Sequence, residues 1–216
     1  MPDIEVSLSN IDDISNDITR YFLKNTNDEI LYKIASEYEV SNVNDFKNFL
    51  EDKISDYCNL KAYIFSLVNE NLKYFEKINI DGFLKFRLWK YTDYLRRISK
   101  EIYIEYLSFK KYEKMISLMK VIIKNADPIV FHLHIEVNNK NFFEIYDDFY
   151  NDITGICVNE FVEEYKDYNY TASDFLISTV LNLTPKVITL YNSDRIKNKD
   201  FLNTLKKLYE NNLIIS

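Results

Sequence analysis

The sequence predicts a mainly helical α+β protein, in which a helical region is followed by a small α/β unit. Glycine occurs only twice and proline three times in 216 residues, so long helices with few tight turns fit better than sandwiches or barrels. Apolar residues recur at helical spacing over most of the chain before Asp127-Pro128. After that point, segments typical of strands alternate with segments typical of helices.

The N-terminal part of the chain predicts one short strand and several helices. Residues 3–8 alternate between polar and apolar side chains, which is the pattern of a strand. Two amphipathic helices follow, the second with Asn27 as its N-cap. Residues 41–77 keep helical phase throughout and predict either one long helix or a broken pair. Residues 78–80 are interpreted as a short connector.

The longest helical pattern opens with Asp81 as the predicted N-cap and runs to residue 109. Its apolar positions form one stripe along the helix, consisting of Leu84, Leu88, Tyr91, Leu95, Ile98, Ile102, Tyr106 and Phe109. Such a stripe needs a partner surface, and packing in the core of the same chain is favoured over docking on another subunit. The helical pattern continues to residue 123, and the sequence leaves open whether the chain kinks near residues 108–111.

The C-terminal region reads as an α/β unit of order β-β-α-α-β-α-β. Its elements are predicted over residues 129–137, 142–146, 148–165, 174–183, 187–191, 198–211 and 213–215. Thr171 or Ser173 caps the second of these helices, and the last two strands are expected to be parallel neighbours joined by a crossover helix. The predicted boundary between the two regions lies at Asp127-Pro128, with a helical region over residues 1–127 and an α/β unit over residues 128–216.

The sequence predicts no targeting or membrane-spanning segment. The N-terminus lacks the basic and apolar regions of a signal peptide, and no apolar run approaches the roughly 18 residues of a membrane span. Cys58 and Cys157 are far apart without metal-type spacing, which is typical of reduced, buried thiols. These features predict a cytoplasmic protein, and no cofactor is predicted.

The net charge of −7 is unevenly distributed along the chain. Residues 85–124 carry a net charge of +7, whereas residues 1–84 carry −8 and residues 125–216 carry −6. Neutralisation by the acidic flanks is the favoured interpretation, and binding of an anion or a nucleic acid is the alternative. The candidate binding residues of this segment are Arg87, Lys90, Arg96, Arg97, Lys110 and Lys111.

The most suggestive local group is the sequence His132-Leu133-His134-Ile135-Glu136. On a strand, His132, His134 and Glu136 point to one face and could supply ligands to a metal ion. A solvated polar face opposite a half-buried apolar face is the favoured interpretation. No phosphate-binding loop, nucleophile elbow or zinc-ribbon pattern occurs. The sequence therefore favours a protein that is not an enzyme, with a metal-dependent enzyme at these three residues as the lesser alternative.

Three blocks of the sequence together resemble one family. They are residues 79–91, the helix through Glu105-Tyr106 and Lys111-Tyr112, and residues 173–188. In this order they resemble the YtxC family of sporulation proteins from spore-forming Firmicutes, over roughly residues 78–216. The resemblance implies a cytoplasmic sporulation-associated protein and supplies no catalytic residues. With the apolar stripe and the lack of catalytic motifs, it leads to the expectation that the protein acts through a protein partner or self-association.

Overall fold

The computed structural model describes residues 4–6, 9–57, 59–87, 89–139, 142–165 and 169–216. Contacts along the chain divide it into an N-terminal unit, residues 1–110, and a C-terminal unit, residues 111–216. The division predicted at Asp127-Pro128 rests on a change of secondary structure and stays a prediction. In the described part of the chain, no helix combines the length and the apolar character needed to cross a membrane.

The N-terminal unit is built from helices and one two-stranded ribbon. Its elements, with the whole of the last helix included, are β1 (Ile4–Glu5), α1 (Ile11–Asn25), α2 (Asn27–Ala35), α3 (Val43–Tyr57), α4 (Leu60–Leu72), β2 (Lys77–Ile78), α5 (Ile80–Arg87) and α6 (Trp89–Asn125). β1 pairs antiparallel with β2, a strand that the sequence analysis placed in a helix and a connector. The broken-pair alternative for residues 41–77 is confirmed, because the Asn59 side chain accepts a hydrogen bond from the Ala62 amide and starts a new helix.

The central helical pattern begins differently from the prediction. Asn79 Oδ1 accepts a hydrogen bond from the Gly82 amide at 3.0 Å, and α5 already includes Asp81. Asp81 is therefore not the N-cap, because it lies inside the helix and the Asn79 side chain, two residues earlier, accepts from the amide of the third helical residue. Leu88 lies outside the described residues. α6 continues without interruption through residues 108–111 to Asn125, so the helical pattern predicted to continue to residue 123 belongs to the same helix as most of the stripe.

The predicted stripe of the central helix lies in the core of the N-terminal unit. Tyr91, Leu95 and Ile102 are fully buried among the side chains of α1 to α4. The Tyr91 hydroxyl donates a hydrogen bond to Asn27 Oδ1, and its ring meets Phe22 edge-on at 5.2 Å. Core packing, the favoured interpretation, is thus confirmed. The described stripe residues from Leu84 to Tyr106 are buried or half-buried, whereas Phe109 at its end is 38% exposed.

Among its described residues, the C-terminal unit has a four-stranded mixed sheet and three further α-helices. Its elements are β3 (His132–Val137), β4 (Phe143–Tyr146), α7 (Thr154–Tyr165), α8 (Ala172–Leu183), β5 (Val187–Tyr191), α9 (Lys199–Tyr209) and β6 (Leu213–Ile215). The strand order is β4-β3-β5-β6, antiparallel between β3 and β4 and parallel elsewhere. The predicted order of elements and the parallel pairing of the last two strands are confirmed.

Two local details correct or refine the sequence-based elements of this unit. α7 begins at Thr154 rather than near residue 148, because Asp147 Oδ1 accepts hydrogen bonds from the Phe149 and Asn151 amides and builds a turn. α8 is capped by Thr171 in a capping box with Asp174, which decides between the two predicted N-caps.

The two faces of the sheet differ in what covers them. Leu133, Ile135 and Leu190 are fully buried and pack against α7, α8 and α9. Because side chains alternate along a strand, the residues between them point to the opposite face. We call that opposite face the polar sheet face; it carries His132, His134, Glu136, Glu144, Tyr146, Thr189 and Tyr191.

Candidate functional site

The strand register brings the predicted histidines next to side chains that are distant in sequence. His134 lies opposite Tyr146 on β4 and beside Thr189 on β5. Glu136, two residues further on, lies between Glu144 and Tyr191 in the same way. Paired residues of neighbouring strands point to the same face, so the polar sheet face combines imidazole, carboxylate and phenol groups.

The two histidines are held by stacking and by hydrogen bonds to β5. Their rings stack with centroids 4.1 Å apart. His132 Nε2 lies 2.8 Å from Thr189 Oγ1, and His134 Nδ1 lies 3.3 Å from the Tyr191 hydroxyl. His134 is only 5% exposed. These contacts fix both rings on the sheet.

The third residue of the predicted metal group has a polar partner too. Glu136 Oε1 accepts a hydrogen bond from Asn192 Nδ2 at 3.2 Å. Throughout the described ranges, no three His, Cys, Asp or Glu side chains are arranged to hold one metal ion. Metal binding by His132, His134 and Glu136 stays a prediction.

A turn after β4 places one more aromatic ring over the histidines. Asp148 accepts hydrogen bonds from the Phe131 and His132 amides at 3.0 and 2.6 Å, which ties the turn to the start of β3. Tyr150 in this turn has a φ of 60°, a conformation that costs energy for a bulky side chain. Its ring stacks on His134 at 4.1 Å, and its hydroxyl lies 3.4 Å from that of Tyr191.

These side chains surround an open cleft of about 540 Å³ on the polar sheet face. This volume falls within the usual range for small-molecule sites. The residues that line the cleft are His134, Glu136, Tyr146, Tyr150, Tyr191, Asn192 and Ser216. Sequence reasoning found the histidines and Glu136 but missed the tyrosines. The period-two alternation in residues 142–146 and 187–191 was the signal that puts Tyr146 and Tyr191 on the same side.

The electrostatic surroundings of the cleft are negative. No lysine or arginine is among the described residues that line it. Burial raises the pKa of the Tyr146 phenol, and the neighbouring Glu144 carboxylate adds to this rise. The pKa of Tyr191 is also raised, first by its contact with the Tyr150 hydroxyl and then by burial. The cleft therefore disfavours an anion.

We expect the His134 imidazole to titrate below its ordinary pKa of 6.5. Burial is the main cause, the charge of protonated His132 adds to it, and Asp147 and Asp148 oppose it. Because the unfolded chain binds this proton at higher pH, the stabilisation is complete above pH 6.5 and is lost as the pH falls toward the native pKa. An NMR titration of the imidazole measures the midpoint. In a His132→Gln variant the midpoint should rise, and an unchanged midpoint would contradict the contribution of His132.

The candidate anion-binding residues are partly neutralised by carboxylates. Arg96 forms a bidentate contact with Glu37, and Lys110 Nζ lies 2.8 Å from Asp45 Oδ2. The other four candidate residues are held less closely. Arg97 lies near Asp93, and Arg87 lies over the Phe75 ring. Lys90 and Lys111 are exposed. Anion binding through the basic segment stays a prediction.

The second half of α6 carries four apolar side chains that are about half exposed. Met115, Leu118, Val121 and Ile122 are 41%, 57%, 55% and 48% exposed; we call these four the α6 apolar face. Ile116 and Ile123, on another side of the same helix, are buried in the core of the C-terminal unit. The sequence analysis described only a helical pattern that continues to residue 123 and did not separate these two sides. The sequence did contain a signal for the exposed side, because this part of the helix has more apolar positions than a single buried face needs.

Comparison with known proteins gives a match at the level of the family. A family model described as the YtxC-like family matches residues 11–214. The match extends through the N-terminal helices, beyond the residues that carry the sequence resemblance. No curated protein and no solved structure matches the chain.

Proposed function

We propose, because the chain belongs to the YtxC-like family, that it is a sporulation-associated protein of the cytoplasm that acts by binding another protein. The observation that carries this proposal is the α6 apolar face. Family membership supports the link with sporulation, and the absence of a catalytic motif from the sequence supports a binding role over an enzymatic one.

The α6 apolar face has the chemistry of a protein interface. Exposing four aliphatic or thioether side chains side by side on an ordered helix leaves apolar surface in water, which a bound partner would remove. Methionine is enriched in the cores of protein interfaces, and its flexible side chain adapts to a partner. Leu118 and Val121 lie one turn apart, so an apolar helix of a partner could pack along both.

The charges beside this face indicate which partner fits. Lys111 and Lys114 lie in helical phase with the α6 apolar face, about one turn before Met115 and Leu118, and both are exposed. The acidic residue of this stretch, Glu113, falls on the opposite side by helical phase. A two-fold dimer uses the same patch on both copies, so a second copy would bring lysines and no carboxylates from this face. We therefore propose a different protein, with an apolar helix face flanked by acidic residues.

A single charged substitution tests the proposal. Affinity purification with mass spectrometry from sporulating cells compares the unmodified protein with a Leu118→Glu variant. We expect a recurring partner with the unmodified protein that is lost, by about tenfold or more, in the variant, because a buried unpaired carboxylate is costly at an interface. Ser117→Glu is the matched control, since it adds the same charge to an exposed neighbouring position off the apolar face.

The possible results distinguish a different protein from a second copy of this chain as the partner of the α6 apolar face. Loss of the partner in Leu118→Glu but not in Ser117→Glu supports the proposal, and a further Lys111→Glu, Lys114→Glu variant should weaken the same partner. Equal recovery from all variants would contradict it. A dimer seen by analytical ultracentrifugation that Leu118→Glu dissociates would show that a second copy, and not an acidic partner, covers the face.

A further inference from the structure

The cleft on the polar sheet face is separate in its chemistry from the α6 apolar face, and it combines aromatic and acidic groups. Its walls include three phenol rings, from Tyr146, Tyr150 and Tyr191, and one carboxylate, from Glu136. Tyr150 is 62% exposed, so much of its surface is open to a ligand while its ring stacks on His134.

The charges acting on the cleft select the sign of its ligand. Glu136 lies in the wall, and Glu144 accepts a hydrogen bond from the Tyr146 hydroxyl at 3.3 Å. His134 is buried beneath the Tyr150 ring, which stacks on it at 4.1 Å. No cationic side chain among the described lining residues offsets these carboxylates. The field in the cleft therefore attracts cations.

The aromatic rings that line the cleft favour an organic cation over a metal ion. A small hard ion such as Mg²⁺ or Ca²⁺ needs several oxygen ligands from carboxylates, carbonyls or water, and Glu136 is the only acidic side chain among the described residues that line the cleft. An organic cation is instead attracted by the negative faces of aromatic rings, and cages of such rings with one carboxylate recognise ammonium groups. Tyr146, Tyr150 and Tyr191 with Glu136 supply these parts.

We propose that the cleft formed by Tyr146, Tyr150, Tyr191 and Glu136 binds an organic cation, an ammonium or guanidinium group. The cleft of about 540 Å³ accommodates such a group with room for a short chain attached to it. The Tyr150–Tyr191 hydroxyl contact at 3.4 Å and the Asn192–Glu136 hydrogen bond at 3.2 Å hold one ring and the carboxylate in place before the ligand arrives. The cation can come from a free small amine or from a lysine or arginine side chain of a protein.

Titration of the full chain followed by NMR tests this site. The probes are choline, spermidine, N-acetyl-lysine amide and N-acetyl-arginine amide, at constant ionic strength. We expect at least one of them to cause saturable shifts of the His134 and Tyr150 ring resonances. The neutral isostere of choline, 3,3-dimethylbutanol, should cause none, because it has the same shape without the charge. Saturation by choline or spermidine would indicate a free amine, and saturation by the amino-acid amides alone would indicate a protein side chain.

Two variants distinguish the cleft from non-specific attraction to an acidic protein. Tyr150→Leu removes the aromatic face and Glu136→Gln removes the charge at nearly constant shape, and each should weaken binding by about tenfold. Tyr74→Leu, which replaces a tyrosine that is 84% exposed in the N-terminal unit, is the matched control and should bind normally. Absence of saturable shifts with all four cations, equal binding of the neutral isostere, or unchanged binding in both cleft variants would overturn the proposal.

Discussion

Ile102→Ala is expected to lower the free energy of unfolding of the N-terminal unit by about 3 kcal/mol, within the range measured for buried isoleucines. Ile102 is fully buried in the core of this unit. The substitution removes three carbons from that core, so both the hydrophobic transfer free energy and the packing around the resulting cavity are lost. A loss of this size is a large fraction of the stability of an ordinary domain.

Ile104→Ala provides the matched control for this prediction. Ile104 lies two residues further along α6, is chemically identical and is 66% exposed. We expect its replacement to change the free energy of unfolding by less than about 0.5 kcal/mol. Urea denaturation followed by circular dichroism measures both variants. Equal losses in the two would contradict the assignment of the Leu84–Phe109 stripe to the core.

The buried face of the central helix could be predicted because its signal is local. A helix that packs on one side repeats apolar residues every three or four positions, and Leu95 and Ile102 follow that rule. The α6 apolar face could not be predicted in the same way. Leu118 and Ile123 are equally apolar in sequence, and only the packing of the C-terminal unit decides that Ile123 is buried while Leu118 stays exposed.

On the polar sheet face too, some features follow from the local sequence, whereas others depend on residues that are distant in the chain. Strand alternation alone predicts that His132, His134 and Glu136 share a face. The cleft also depends on Tyr191, which the parallel register of β3 and β5 brings beside Glu136. It depends on Tyr150 as well, whose backbone adopts a positive φ that side-chain preferences argue against. Neither follows from the sequence pattern near the histidines.

The start of α5 was predicted at the wrong residue because two nearby side chains can both act as the N-cap. Asp81 and Asn79 are both good N-cap residues, and the glycine after Asp81 favoured the later start. In the structure the Asn79 side chain reaches the Gly82 amide, so the helix begins at Ile80. A difference of two residues at a helix end is within the usual uncertainty of boundaries.

Lys186→Met is expected to lower the free energy of unfolding of the C-terminal unit by about 2 to 3 kcal/mol. Lys186 Nζ donates hydrogen bonds to the carbonyl oxygens of Ile123 and Ala126, each at 3.0 Å. These carbonyls lie at the C-terminal end of α6, where backbone acceptors lack helical partners and the helix dipole is negative. Methionine keeps most of the side-chain length but donates no hydrogen bond, so both acceptors lose a charged donor.

Lys124→Met is the control that isolates the effect of position from the loss of a positive charge. Lys124 lies in the last turn of the same helix and is exposed, so its removal affects the dipole only weakly, by less than about 0.5 kcal/mol. Lys186→Arg should retain part of the stability, because a guanidinium can still donate to carbonyl oxygens. If Lys186→Met and Lys124→Met unfold at the same urea concentration, the two hydrogen bonds do not stabilise the unit, and the end of α6 is held by packing alone.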